Sequence, residues 1–135
     1  MKLSLFLIAL LFLTSCSNRT VNGVRQGYWK ETDTVNGIPH VSKGRYRDGM
    51  PVKTWKYFAN GKLVKKEQYN GDDCLVSLYG PDKTLELTLM AKLVREENTL
   101  HWFYVSDWTT YDVFGNTIYI DTYYRGELVG EKEIN

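Results

Sequence analysis

One dipeptide punctuates this chain. Asn36-Gly37 and Asn60-Gly61 fall between runs rich in aromatic and β-branched residues, and Asp48-Gly49 and Asn70-Gly71 close the runs that follow. Asn-Gly and Asp-Gly accept the positive φ angles of a tight two-residue turn, so each marks a reversal between antiparallel strands. The unit runs Trp29, Gly37, Tyr46, Gly49 and again Trp55, Gly61, Tyr69, Gly71. A degenerate third copy carries Trp108, Tyr111, Gly115-Asn116, Tyr124 and Gly126. Each unit is a hairpin, and successive hairpins predict an antiparallel meander.

Composition agrees. Ten Tyr and four Trp stand against three Pro, which favours strands over helices. Trp55, Tyr57 and Ala59 alternate with polar neighbours, as do Ile118, Ile120, Thr122 and Tyr124. Residues 72–105 break the repeat. Leu75 to Tyr79 predicts a strand and Gly80-Pro81-Asp82-Lys83 a turn. Over 84–94, Leu85, Leu87, Leu89, Ala91 and Leu93 recur at period two, which predicts a strand; the helix-forming composition keeps a helix as the alternative. His101 to Val105 predicts a buried strand.

The first residues read differently. Lys2 precedes an apolar stretch from Leu3 to Leu13, too short for a permanent membrane span. Leu13-Thr14-Ser15-Cys16 then resembles the lipobox of bacterial lipoproteins. That resemblance implies a helical signal segment over 1–15, cleavage before Cys16, and palmitate-type acylation of Cys16 that holds the protein in the cell envelope. Ser17 follows the cysteine, which in a Gram-negative cell resembles a signal for the periplasmic face of the outer membrane. Two or three acyl chains give the durable anchorage that one chain lacks. Residues 16–23 are expected to be a flexible lipidated tether and 24–135 the folded domain. With Cys16 lipidated, Cys74 has no partner for an intramolecular disulfide; its apolar surroundings predict a buried, inert thiol.

The hairpin units of residues 27–71 resemble the MORN-variant repeats of bacteria, whose members are often described as antitoxin-like. The residues that carry the resemblance are Trp29, Gly37, Tyr46, Gly49, Trp55, Tyr57, Gly61, Tyr69 and Gly71; residues 108–126 match weakly and 72–105 hardly at all. The resemblance implies an elongated sheet of stacked hairpins that serves as a non-enzymatic binding or scaffold surface. The broader family is also linked to membrane lipids.

Catalytic spacing is absent from the sequence. His40 and His101 are isolated, no nucleophile elbow surrounds a Ser or Cys, and no His-x-x-x-His or Cys-x-x-Cys pair offers a zinc site. Asp72-Asp73 and Glu96-Glu97 are sequence neighbours, which on a strand face opposite ways. No cofactor is expected. The aromatic residues Trp29, Trp55, Tyr57, Trp108 and Tyr111 are either the core or a wet stacking surface for a protein or glycan.

Charge supplies the second lead. Residues 17–71 hold eleven Lys and Arg against four Asp and Glu, net +7; residues 72–135 hold five against twelve, net −7. Lys53, Lys56, Lys62, Lys65 and Lys66 would form a basic face for anionic headgroups or an acidic partner, unless the two halves pair with each other. The overall balance excludes a nucleic-acid binder.

The sequence thus predicts a mainly β protein: an antiparallel meander of stacked hairpins preceded by a helical signal segment. Its expected role is a lipid-anchored binding or scaffold module, with a protein as partner. An immunity protein against a secreted toxin and a carbohydrate- or peptidoglycan-binding module are the alternatives. The candidate binding surface is Trp29, Trp55, Tyr57, Trp108, Tyr111, Lys53, Lys56 and Lys65, with Cys16 for lipid attachment.

Overall fold

The computed structural model describes residues 17–97 and 99–134, so the signal segment and Cys16 lie outside the described residues. Ten strands follow in order: β1 (Arg19–Val21), β2 (Val24–Val35), β3 (Ile38–Arg47), β4 (Met50–Ala59), β5 (Lys62–Asn70), β6 (Asp73–Tyr79), β7 (Leu85–Glu96), β8 (Thr99–Tyr111), β9 (Thr117–Tyr124) and β10 (Glu127–Glu133). They form one antiparallel sheet in which every strand pairs only with its neighbours in sequence. Among the described residues no helix is long and apolar enough to cross a membrane.

The turn chemistry explains this order. Asn22-Gly23, Asn36-Gly37, Asp48-Gly49, Asn60-Gly61 and Arg125-Gly126 each have positive φ at both residues, the conformation that matches hairpin twist. Short turns leave no length for a crossover, so the chain can only meander. Residues 85–96 are strand, and their period-two leucines put Leu89, Ala91 and Leu93 inside.

Two expectations need correction. The flexible tether over 16–23 is replaced by sheet from Ser17 onward. Ser17 bridges Tyr28, β1 pairs with Val24–Gln26, and the Asn18 side chain exchanges hydrogen bonds with Lys30 N (2.8 Å) and Lys30 O (2.9 Å). The cause is the same Asn-Gly turn found elsewhere, here at Asn22-Gly23. The strand at 101–105 exists but is not buried: it lies within β8, where Trp102 is 39% and Tyr104 48% exposed. Among the described residues there is a single sheet and no second layer to cover it.

The core sits on one face. Cross-strand register places Trp29, Gly44, Tyr57, Glu67, Cys74, Leu89, Ala91 and Leu93 together on it. Trp55 is its most buried side chain, 2% exposed, because its ring lies flat over Gly44. Adjacent strands stand about 4.8 Å apart, so Tyr69 on β5 and Trp102 on β8 are separated by about 14 Å of sheet. Their rings nevertheless meet at 5.6 Å, leaning across the small residues Cys74 and Ala91 and burying them.

Sequential order also settles the charge question. The +7 and −7 halves occupy opposite ends of the sheet; β5 pairs with β6 at their seam, and the Tyr69 and Trp102 rings meet across it. Among the described residues, the ion pairs Arg25–Glu31, Lys65–Glu67, Lys92–Asp73, Arg95–Asp72 and Arg125–Glu96 all stay within one half. Among the described residues no ion pair joins the two halves.

Candidate functional site

A strip of rings crosses the core face. Trp29 meets Tyr46 edge-on at 5.7 Å, Tyr46 meets Trp55 at 4.9 Å, and Trp55 lies 6.4 Å from Tyr57. The Trp29 and Trp55 indoles donate to Gln26 O (3.1 Å) and Arg45 O (3.0 Å), which locks both. The Arg25 guanidinium stacks 4.6 Å from the Trp29 ring centre and closes that end.

Glu67 carries the strip onward. Its carboxylate accepts hydrogen bonds from the Tyr57 hydroxyl (2.5 Å), the Tyr69 hydroxyl (2.7 Å) and Lys65 Nζ (2.9 Å). Burial alone would raise the Glu67 carboxyl, but the three donors outweigh it and hold the group below its ordinary range. Both tyrosines are pushed well above theirs, first by burial and then by donating to the charged carboxylate. Lys65 Nζ also sits 3.9 Å over the Tyr57 ring.

Beyond Glu67 opens a hollow of about 430 Å³, within the size range of small-ligand sites. Its floor is aliphatic, including Val76, Leu87 and Leu89, and its far rim is Trp102, Tyr104 and Trp108. Tyr104 meets Trp108 at 4.8 Å, and Trp108 lies 4.5 Å from Tyr123. Trp108 Nε1 and Asp121 Oδ1, on residues directly opposed across β8 and β9, are buried and have no hydrogen-bond partner among the described residues. Buried polar atoms are nearly always hydrogen-bonded, so two unpartnered ones facing each other call for a partner from outside the sheet, a water or a ligand group.

Cys74 lies in the same hollow. It is free and buried, and its thiol is pushed up to about 11 by burial and by the Glu67 charge. It therefore holds its proton at neutral pH and is no nucleophile. We expect it to resist Ellman's reagent in the folded protein and to react at full stoichiometry in urea; rapid labelling of the native chain would contradict its placement.

The expected binding surface is divided by the structure. Trp29, Tyr57 and Trp108 are half-buried on the core face, whereas Trp55 is buried structure rather than contact surface. Tyr111 lies on the opposite face, where its hydroxyl meets Thr88 Oγ1 at 3.0 Å, because the odd spacing from Trp108 reverses its direction. Lys65 is on the core face and Lys56 on the other; Lys53, opposite Tyr69 in the register but with φ of 60°, lines the same hollow as Lys56. The sequence reading missed Trp102 and Tyr104, and it missed Glu67. The signal for Glu67 was present: it is the sole carboxylate between Asp48 and Asp72. Among the described residues no group of three or more His, Cys, Asp and Glu side chains is placed to hold a metal ion.

No family model matches the chain, and neither the curated proteins nor the solved structures provide a match.

Proposed function

We propose that this chain is a non-enzymatic binding module, anchored to the cell envelope through lipid on Cys16, that takes a protein partner on the core face of its sheet. The observation that carries this reading is the exposed pair Trp102 and Tyr104 at the rim of an apolar hollow. A single-layer sheet that leaves two large rings open beside aliphatic floor has the makings of an interface hot spot. The orphaned Trp108 and Asp121 atoms beside it offer further polar contacts. The hairpin units that resemble MORN-variant repeats suit the same scaffold-like role.

The test is site-specific photo-crosslinking in cells. A photoreactive residue at Trp102 is expected to trap a discrete protein, and one at Ile120, which the register puts on the other face, is expected to trap none. Cys16→Ser should release the protein from the membrane fraction. Trp102→Ala should abolish the crosslink from position 104 while lowering stability by about 2–3 kcal/mol, the aromatic edge contact plus the partly buried ring area. Equal crosslinking from both faces would defeat the proposal. A glycan that protects Trp102 from quenching, with no protein trapped, would replace it by the carbohydrate reading.

A further inference from the structure

The opposite face carries a second feature, set by register. Lys30 on β2 stands directly across from Lys43 on β3, Lys43 from Lys56 on β4, and Lys56 from Lys66 on β5. Four lysines thus lie in one row over about 14 Å of sheet. Like charges directly opposed across strands destabilise a sheet. Among the described residues none of the four has a carboxylate partner; Lys43 Nζ rests 5.2 Å over the Phe58 ring, which leaves its charge unneutralised.

Beside the row the sheet is bent into a receptacle. The register of β3 on β4 shifts between Lys43 and Arg45, around Gly44, and Lys53 adopts φ of 60°. A lysine in that region is strained, and such strain collects where a site is built. The resulting hollow, about 430 Å³, is lined by Lys43, Arg45, Lys53 and Lys56 together with the hydroxyl-bearing Tyr28 and Thr54. Among the described residues no carboxylate lines it. The Trp55 ring pressed on Gly44 from the core face fixes this bulge, so core packing on one side shapes the receptacle on the other.

We propose that this receptacle binds a phosphate-bearing ligand carrying more than one negative charge. Two cations from β3 (Lys43, Arg45) and two from β4 (Lys53, Lys56) line it, which suits the several charged oxygens of phosphate better than the planar pair of a carboxylate. A polyvalent anion seated beside Lys43 and Lys56 would relieve the repulsion within the lysine row. The inference is independent of the partner proposed for the core face.

The experiment uses the full chain in neutral detergent micelles, titrated calorimetrically with tripolyphosphate at low salt. Lys56→Glu should weaken binding at least about tenfold, the scale of one charge-assisted hydrogen bond. Lys62→Glu makes the same change in net charge at an exposed position outside the hollow and should weaken it less than about threefold. Lys56→Gln should follow Lys56→Glu in direction, and both should melt higher than wild type, because Lys56 stands between two other lysines. A residue kept for structure alone would not gain stability when removed. Trp102→Ala should leave the titration unchanged, which separates this site from the core face. In a second arm, micelles doped with phosphatidylglycerol replace tripolyphosphate. Binding in that arm alone assigns the phosphate to a lipid headgroup, and binding of tripolyphosphate alone assigns it to a soluble ligand. No binding in either arm, equal weakening by Lys56→Glu and Lys62→Glu, or tighter binding of a poly-glutamate peptide would overturn the proposal.

Discussion

Gly44→Ala is expected to destabilise the protein by about 3 kcal/mol or more, an unusually large penalty for adding one methyl group. A Cβ at this position would lie 2.0 Å from Trp55 Cδ2 and 2.2 Å from Cε2. The ring cannot step aside, because its indole nitrogen is bonded to Arg45 O and its faces are held near Tyr46 and Tyr57. Gly44 is not among the glycines with positive φ, so the backbone would tolerate alanine and only the ring forbids it. That distinction gives the control. Trp55→Ala alone should cost about 3–5 kcal/mol, and adding Gly44→Ala to it should cost little more, since the clash is gone. Urea unfolding of the three variants measures this. Additive losses, or a Gly44→Ala loss below 1 kcal/mol, would mean that the ring does not sit where the structure puts it.

This pair also shows how far the sequence was legible. The hairpin turns were readable because Asn-Gly and Asp-Gly encode their φ angles locally, and local signals need no knowledge of partners. Strand order followed, since short turns permit only a meander. Asn22-Gly23 carried the same signal, but the polar residues around it suggested a tether, and so β1 was missed. The role of Gly44 was not legible, because nothing within a few residues announces that Trp55 will lie on it. The site suffered more than the fold. Lys65 and Lys66 are adjacent in sequence yet serve opposite faces, one bonded to Glu67 and the other in the lysine row. Their assignment depends on register, and β4 and β5 contain a bulge between Tyr57 and Phe58 that resets it. Trp102 and Tyr104 were hidden by a different assumption: an apolar run implies burial only if a second layer exists to provide it.

The second large effect is expected at Glu67. Glu67→Leu would leave two half-buried tyrosine hydroxyls and the Lys65 ammonium without their acceptor, at a cost of about 3 kcal/mol at pH 7. Glu67→Gln keeps an acceptor oxygen but not the charge and should cost about 2 kcal/mol. The sign of the pH dependence follows from direction. The carboxyl titrates lower in the folded chain than its ordinary unfolded value of about 4.3, so its stabilisation is complete above that value and disappears as pH falls through the folded one. Tyr57 and Tyr69 are raised, so their contribution is complete below an unfolded value of about 10 and declines as pH rises above it. Wild-type stability should therefore fall at both ends, acid and alkaline. The difference between wild type and Glu67→Gln should shrink below pH 4 and vanish once the carboxyl is protonated. Asp112, also held below its ordinary range, by hydrogen bonds from Asn116, is common to both proteins and cancels in that difference. A Glu67→Gln penalty that stays constant from pH 7 to pH 3 would show that the carboxylate fills space in the strip without holding its two tyrosines by charge.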